Sequence, residues 1–574
     1  MRDKSEVRSQ KSEVRLAALC LLPSIFLFLV AALYQLKLPG LYYDEGFDLT
    51  PMLNVMHGEP VALLRGIGLA GLPVMRMDYM GSLNGYLTLP FMTVLGPGYL
   101  AARLQPVVFS LITLVLAFVL ARRWFGLGVA TVTALLLSVN PSFIWFTRQG
   151  ITVTSVVTVF SLGSWILLDR IRKLAGWKVG RLAFAAGLCL GLGLWAKIVF
   201  LWWIALTFVV TFVWVISRDA PRTGFGQRRV STLRICMRAS PFVLIGFVFG
   251  AAPFIYYNLA GFAQGQPPAT FNLLFRSLLN PTEYAIHNSN FFANLDKRFQ
   301  DFAVFLNGSY FWYLANVPYG NVYAVPTFLV SAGVGSVLAI QRPEWRKWLA
   351  LLLCIALYLP MSSFTVSDLW ATHFFVLLPL PQMVVACAAV WLAQTIGYGL
   401  LAKLPKSIAN SQWLIPALLV CLLLAPTFAR DIWVNQHYHA ALAQGGGSGR
   451  FSDAVYSLAD QLDKSHTAEP IALDWGISQQ LRVLTADRVR PREIFGFTPE
   501  PTDEFRQQVR ELLRDSSRQY LVLWSGDDKW KGFAVYNRRD EFTRIAKDMG
   551  KQVVETFTAY ERSGLPVYII LKAL

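Results

Sequence analysis

Long apolar segments recur along the first three quarters of the chain, and each is long enough to form a transmembrane helix. A helix needs about 20 apolar residues to cross a hydrocarbon core about 30 Å thick. The pattern predicts about eleven spans, so the predicted fold class is a polytopic α-helical membrane protein. Their approximate bounds are 16–36, 102–121, 127–145, 150–169, 182–196, 199–217, 240–258, 323–340, 348–366, 374–394 and 412–429.

Lysine and arginine residues are distributed unevenly between the two sides of these spans. Clusters occur in segments 122–123, 170–181, 218–238, 342–347 and 403–406, all on the side of the N-terminus, and the opposite loops are poor in basic residues. Cytoplasmic loops carry the excess of positive charge in membrane proteins. The N-terminus is therefore predicted to be cytoplasmic, and an odd number of spans places the C-terminus outside.

The composition supports a membrane protein. Of 574 residues, 55% are hydrophobic and only 15% are charged, whereas soluble proteins carry about 25% charged residues. The net charge of +17 is explained by loop topology and attraction to lipid headgroups, and it gives no nucleic-acid signal. The six cysteines lie in or beside predicted spans, with no spacing typical of a disulfide framework or a zinc site.

The predicted domains follow from this topology. Residues 1–430 form the membrane domain, with two large exterior loops at 37–101 and 259–321. Residues 431–449 are predicted to be a linker, and its glycine-rich stretch from Gly445 to Gly449 is predicted to be flexible. Residues 450–574 then alternate strand-like and helical patterns, so we expect a small extracytoplasmic α/β domain that serves as a packing or partner-docking module.

The exterior loop after the first span carries an acidic run, Tyr42-Tyr43-Asp44-Glu45-Gly46-Phe47-Asp48. Carboxylates at a membrane boundary are costly to hold in place, so they are candidates for function. The ordinary interpretation is a solvated loop. We select Asp44 and Glu45 as candidate catalytic residues, with Tyr43 as a weaker substrate-binding candidate.

Two basic residues lie in predicted exterior turns, against the topology bias. Arg148 falls between spans 3 and 4, and Lys197 falls between spans 5 and 6. A phosphate at the outer leaflet would explain both, and the alternative is that they reach toward lipid headgroups. Arg76 is a third candidate for donor phosphate binding. Weaker candidates for substrate binding are Asp78, Tyr79, Asp368 and His373.

Several motifs follow one another in the first part of the chain. They are Tyr42-Tyr43-Asp44-Glu45, Gly81-Ser82-Leu83-Asn84-Gly85-Tyr86-Leu87, Ala102-Arg103-Leu104-Gln105-Pro106, Ala121-Arg122-Arg123-Trp124-Phe125-Gly126, and Asn140-Pro141 followed by Arg148. Their order resembles the GT-C superfamily of membrane glycosyltransferases, and specifically the family 39-like branch with protein O-mannosyltransferases and lipid A aminoarabinose transferases. The likeness covers about residues 1–215 and weakens through 430.

The resemblance implies a GT-C fold and an outward-facing transferase that uses a polyprenyl-phosphate-linked monosaccharide and inverts its anomeric centre. Asp44 would match the essential acid, as general base or as the group that orients the acceptor, and Glu45 would support it. A carboxylate within hydrogen-bond reach can take the proton of an acceptor hydroxyl. The leaving phosphate needs cations, for which Arg148, Lys197 and Arg76 are the candidates.

Two departures limit what the resemblance implies. The O-mannosyltransferases carry a second acid shortly after the position of Arg148, and residues 149–155 contain none. The aminoarabinose transferases have a Lys-Pro-Pro motif in the first loop, where this chain has Met80-Gly81-Ser82. The sugar therefore stays open, and the acceptor is a protein, a lipid or a glycan. No cofactor is predicted; a divalent metal ion is compatible with the sequence but not indicated by it.

Two other classes of function remain as alternatives. A transporter or flippase of lipid-linked or envelope components would place charges or broken helices at mid-membrane, often in repeated halves, and this chain shows no repeat. A non-catalytic envelope scaffold would use the tail to hold a partner. The basic N-terminal segment from Arg2 to Arg15 lacks a small-residue cleavage site, so we expect a retained first span, in a bacterial inner membrane.

Overall fold

The computed structural model describes residues 4–149, 154–171, 177–218, 232–266, 269–273, 290–365, 371–401, 414–496, 498, 500–523 and 538–574. The part before residue 446 is predominantly helical. Its helices are α1 Lys4–Leu33, α2 Tyr43–Phe47, α3 Thr50–His57, α4 Leu83–Leu95, α5 Tyr99–Phe125, α6 Leu127–Val139, α7 Pro141–Gln149, α8 Thr154–Ile171, α9 Trp177–Ala196, α10 Phe200–Arg218, α11 Thr232–Ala263, α12 Phe291–Asn307, α13 Trp312–Ala315, α14 Ala324–Ala339, α15 Trp345–Ser362, α16 Pro379–Leu401 and α17 Leu414–Gly445.

Six of the described helices contain a stretch long and apolar enough to cross a membrane, and α6 with α7 forms a seventh candidate bent by 57°. The chain is thus a multi-pass membrane protein. The six stretches are Ser12–Leu33, Tyr99–Phe125, Trp177–Ala196, Arg234–Ala263, Pro379–Gly397 and Leu414–Gly445. The count of eleven spans and the orientation of the termini stay predictions. The predicted span at 127–145 is interrupted at Asn140, where Pro141 begins a new helix.

Glycines allow two of the long helices to pack closely. Gly187 and Gly191 of α9 face Gly246 and Gly250 of α11, each pair being four residues apart. A Cβ on Gly187 would lie 2.0 Å from the backbone oxygen of Val243, so no larger residue fits. Small residues at this spacing let helix backbones approach in a membrane, where packing contacts drive association.

The first exterior loop folds into short helices and two hairpins. After α2 and α3, strands β1 Gly68–Leu69 and β2 Leu72–Pro73 pair antiparallel, as do β3 Met75–Met77 and β4 Met80–Gly81. The second hairpin also pairs with the turn between α9 and α10, through a bridge between Met80 and Lys197. The loop is therefore fixed to the end of α9.

The C-terminal segment forms a small α/β domain around a five-stranded sheet of order β6-β5-β7-β9-β8. β5 pairs parallel with β6 and β7, and β9 pairs antiparallel with β7 and β8. The predicted strands near 471, 520, 553 and 567 are all present. The elements are α18 Ala454–Lys464, β5 Ile471–Ala472, α19 Ser478–Leu484, β6 Arg492–Glu493, α20 Asp503–Leu512, β7 Tyr520–Leu523, α21 Arg538–Asp548, β8 Val553–Tyr560 and β9 Pro566–Ala573.

The predicted linker at 431–449 is wrong in its first part, because α17 continues as helix through Gly445. The turn that follows packs closely on the first loop. A Cβ on Gly447 would lie 2.8 Å from the Pro39 side chain, and a Cβ on Gly40 would lie 2.0 Å from the Ser452 oxygen. The C-terminal domain is thus docked directly on the exterior loop.

Candidate active site

Most of the acidic run forms one short helix, α2, and the side chain of Glu45 stabilises its first turn. The amide of Tyr42 donates to Oε1 of Glu45 at 3.0 Å, which completes a capping box. Gly46 lies against the C-terminal domain, where a Cβ would come 2.7 Å from the backbone of Gln479. The position of the acids is therefore set by contacts on both sides of α2.

Glu45 is committed to a buried ion pair. Arg103 of α5 grips it with two bonds, Nε to Oε2 and Nη2 to Oε1, both 2.8 Å. The remaining guanidinium bonds go to the backbone oxygens of Leu36, Pro39 and Gly40, at 2.8, 2.8 and 3.1 Å. A bidentate pair of this kind fixes orientation as well as charge. These contacts join α2 to the segment after α1.

Asp48 forms the second buried acid of the helix turn. Its Oδ2 accepts a bond from Nδ2 of Asn84 at 2.8 Å, and its Oδ1 is buried with no hydrogen-bond partner among the described residues. Arg76 lies nearby, stacked 4.2 Å over the Phe47 ring and donating to the Phe47 carbonyl. Burial raises the pKa of Asp48, while the charges of Arg76 and Lys197 oppose the shift.

Asp44 is the most exposed of the three acids. It is partly exposed, whereas Glu45 and Asp48 are buried. No described residue makes a hydrogen bond or ion pair with the Asp44 carboxylate. Burial and repulsion from Asp48 raise its pKa to about 6, against the attraction of Lys197, with a further contribution from Glu45. A carboxylate with such a pKa changes protonation close to neutral pH.

Lys197 lies where the sequence places it, in the turn between α9 and α10. The turn is attached to the second hairpin: the Ile198 amide donates to the Tyr79 oxygen at 3.0 Å, and Trp195 Nε1 donates to the Val74 oxygen at 2.8 Å. The Lys197 side chain is buried and interacts with both Asp48 and Asp44. Burial lowers its pKa to about 8.

Arg148 does not lie in a short exterior turn as expected; it is buried in the last turn of α7. Its Nη atoms donate to the backbone oxygen of Ala31 in the last turn of α1, at 3.0 Å, and to three backbone oxygens just after that helix, those of Gln35 at 2.7 Å, Tyr34 and Leu38. A helix ends with unpaired carbonyls that need donors. Arg148 supplies them for α1, so its guanidinium is directed at backbone and not at the acids of α2.

The weaker candidates for substrate binding each contact a different part of the structure. Asp78 pairs with Arg65 at 2.7 Å and accepts a bond from Tyr257 of α11, so it ties the loop to that helix. The Tyr79 carbonyl holds the Lys197 turn. The His373 carbonyl accepts a bond from Tyr358 of α15 at 2.7 Å. Asp368 lies outside the described residues.

The C-terminal domain covers the outer side of α2 with aromatic and polar side chains. Tyr42 stacks on Phe451 at 4.1 Å between ring centroids, and Phe451 stacks on Tyr313 at 4.0 Å. Tyr43 lies 5.0 Å from the Trp475 ring and donates to Oε1 of Glu493 at 3.2 Å. Burial raises the pKa of Glu493 to about 7. The Asp44 segment is thus enclosed by two domains.

Sequence reasoning missed the partners that position α2. Arg103 belongs to a recognised motif, but no local pattern assigns it to Glu45, which lies 58 positions away. The pairing of Tyr43 with Glu493 spans 450 positions. Asn84 belongs to another of the sequence motifs, which assigns it no partner. An arginine at the start of an apolar helix is the sequence signal that could suggest a partner for Glu45.

One group of side chains in the described residues has the spacing of a metal site: His57, Glu59 and Asp487. Arginines already satisfy both acids. Arg490 donates to Glu59 at 2.6 and 2.8 Å, and Arg482 donates to Asp487 at 2.6 and 2.9 Å. This cluster therefore acts as an ionic contact between the first loop and the C-terminal domain.

The helices, the loop with the acidic run and the docked C-terminal domain together give the chain a fold similar to three solved structures, all of GT-C superfamily members. ArnT from Cupriavidus metallidurans bound to undecaprenyl phosphate has a TM-score of 0.58 at 14% identity, covering 96% of this chain and 97% of that one. The apo state of ArnT has a TM-score of 0.57 at 13% identity, covering 97% and 98%.

The third structure is the archaeal oligosaccharyltransferase AglB from Archaeoglobus fulgidus, in complex with an inhibitory peptide and a dolichol-phosphate. Its TM-score is 0.52 at 12% identity, covering 89% of this chain and 70% of that one. No protein family profile and no curated protein matches the sequence. The GT-C-like fold that the sequence motifs imply is confirmed, and the family 39 likeness stays a prediction.

Proposed function

We propose that the chain is a membrane glycosyltransferase that moves a monosaccharide from a polyprenyl-phosphate carrier to an acceptor hydroxyl at the outer face of the membrane. The observation that supports this most is the Asp44 carboxylate. It is the accessible member of the acid cluster, it has no described hydrogen-bond partner, and it is held in electrostatic range of Lys197. The lipid phosphates bound to ArnT and AglB in the similar structures agree with a lipid-linked donor.

The proposed reaction needs one base and one cationic site. Asp44 takes the proton of the acceptor hydroxyl while the oxygen of that hydroxyl forms a bond to C1 of the sugar. The bond from C1 to the phosphate oxygen breaks, and the electron pair leaves with the polyprenyl phosphate, so the anomeric centre is inverted. A phosphate leaving group develops negative charge and needs cations in place of a proton donor.

Lys197 is the cation best placed for that phosphate, with Arg76 as its neighbour. Both lie beside the acid cluster, since the Lys197 charge acts on Asp44 and Asp48 and the Arg76 charge acts on Asp48. Nε of Arg76 is buried with no hydrogen-bond partner among the described residues. Glu45 and Arg103 act through position. In this proposal Arg148 stabilises the end of α1 and has no direct contact with the donor.

The direct test is transfer by the purified chain in detergent. A synthetic polyprenyl-phosphate sugar and a hydroxyl acceptor are supplied, and release of polyprenyl phosphate is followed by mass spectrometry. Mass spectrometry of lipid that co-purifies with the chain identifies the carrier and the sugar. Transport of an intact lipid-linked sugar across vesicles with no transfer product would contradict the proposal. The periplasmic side and a bacterial inner membrane belong to the same proposal.

The rate of sugar transfer is expected to depend on pH through Asp44 and Lys197. Asp44 accepts a proton only when deprotonated, so kcat/KM should fall as pH drops below the pKa of about 6. Lys197 binds phosphate best when charged, so kcat/KM should also fall as pH rises above its pKa of about 8. Because Asp44 and Lys197 interact, the acid and alkaline limbs of the pH profile report apparent pKa values of the coupled pair. A profile without an acid limb would contradict Asp44 as the base.

Lys197→Ala is expected to lower kcat/KM by about 10- to 100-fold, mainly through donor KM, because one hydrogen bond to a charged group is lost. Lys178→Ala removes the same charge from an exposed position at the start of α9 and is the control. Arg148→Ala should instead lower the Tm, since the carbonyls at the end of α1 lose their donors. An equal rise in donor KM in folded Arg148→Ala would disprove the assignment of the phosphate to Lys197.

A further inference from the structure

A small cavity lies among the membrane helices, formed by other residues than those of the candidate active site. Its volume is about 40 Å³, and α6, α12, α14, α16 and α17 all contribute to its walls. A space of this size holds one or two water molecules or a small ion. Its polar lining comes from Asn140, Thr327, Gln382, Thr427 and Asp431.

Asp431 of α17 gives the cavity a carboxylate. The residue is 4% exposed, and its Oδ1 accepts one hydrogen bond, from Nδ2 of Asn321 at 2.7 Å. No described side chain forms an ion pair with it. The adjacent Arg430 points elsewhere, since its guanidinium stacks 3.5 Å over Trp433 and its Nε donates to the Gly320 oxygen. A buried carboxylate without a cationic partner is costly, so it binds either a proton or a cation.

The remaining polar groups supply neutral oxygens. Gln382 is 8% exposed, and its Oε1 is buried with no hydrogen-bond partner among the described residues. The hydroxyls of Thr327 and Thr427 lie 2.8 Å apart and belong to the same wall. An unpartnered amide oxygen in the same cavity as a carboxylate needs a hydrogen-bond donor or a positive ion.

We propose that this cavity binds one monovalent inorganic cation of the size of Na⁺ or K⁺, held by the Asp431 carboxylate with Gln382 and the threonine hydroxyls. The donor atoms are all oxygens, which hard cations prefer. One carboxylate neutralises one positive charge, whereas a divalent ion would leave an uncompensated charge in a region of low dielectric. The ion joins α14, α16 and α17. The bound ion stabilises the membrane domain, and this effect does not depend on the proposed transfer reaction.

The test is thermal unfolding of the full chain in detergent at about pH 8, in NaCl, KCl or choline chloride of equal ionic strength. Because a ligand stabilises the folded state that binds it, the Tm should rise saturably with Na⁺ or K⁺ and not with choline. Equilibrium binding of ²²Na⁺ or ⁸⁶Rb⁺ should give about one site per chain on this proposal. A Tm that depends on pH alone, or no saturable binding, would overturn it.

Variants distinguish cation binding in this cavity from a general effect of salt on the Tm. Asp431→Asn should remove the cation-dependent rise in Tm and the saturable binding. Gln382→Leu should weaken binding about tenfold, because one ligand is lost, and it serves if Asp431→Asn fails to fold. Asp296→Asn removes a carboxylate from an exposed position of α12 and should keep the full cation dependence. Equal responses of Asp431→Asn and wild type to Na⁺ and K⁺ would overturn the assignment to this cavity.

Discussion

Asp44→Asn is expected to lower the rate of sugar transfer by about 10²- to 10⁴-fold, the range that general bases contribute. The asparagine keeps the size of the side chain but cannot accept the proton of the acceptor hydroxyl. Because the carboxylate makes no described hydrogen bond or ion pair, folding should not depend on it. The measurement is kcat with a saturating polyprenyl-phosphate sugar, together with the Tm of each protein.

The control for this variant is Asp460→Asn, which removes an exposed carboxylate from α18 in the C-terminal domain. It should transfer sugar at the wild-type rate. If Asp44→Asn folds and retains full activity, Asp44 is not the base. A loss of donor binding in Asp44→Asn with unchanged kcat would assign Asp44 to orientation of the substrate instead.

Arg103→Met is expected to destabilise the chain by about 3–5 kcal/mol, the cost of removing one partner from a buried ion pair. The substitution leaves the Glu45 carboxylate buried without its cation. It also removes the donors to the carbonyls of Leu36, Pro39 and Gly40. The measurement is thermal or denaturant unfolding in detergent, and activity should fall with the loss of ordered α2.

The chain offers a matched comparison for this pair. Arg488 grips Asp463 with the same two-bond geometry, both at 2.8 Å, but the Arg488 side chain is 61% exposed. Arg488→Met should therefore cost about 1 kcal/mol or less. The double variant Glu45→Gln with Arg103→Met should recover part of the lost stability, because the uncompensated charge is gone. Equal costs for Arg103→Met and Arg488→Met would contradict the role of burial.

Features that depend on neighbouring residues were predictable from the sequence. Apolar helices, the strands near 471, 520, 553 and 567, and the turn that holds Lys197 follow from local periodicity and charge. The acidic run could be identified because carboxylates at a membrane boundary are rare. These predictions required no knowledge of which distant segment packs against which.

Features that depend on distant contacts could not be predicted. Arg148 looked like an exterior cation because a positive charge after an apolar run normally reaches water. The structure satisfies it with carbonyls more than 100 positions earlier in the chain. Asp44 and Glu45 are adjacent and chemically similar. Arg103 forms an ion pair with Glu45, whereas Asp44 stays partly exposed. Local sequence does not distinguish them, because the difference arises from tertiary packing.

The docking of the C-terminal domain has a consequence for how such chains can diversify. Phe451 is inserted between Tyr42 and Tyr313, and Gly46 touches the backbone of Gln479. A tail taken from another protein would have to reproduce this contact surface before α2 could adopt its position. The membrane part and the tail are therefore expected to have changed in step, and grafting a foreign tail would require redesign of the α2 helix at the same time.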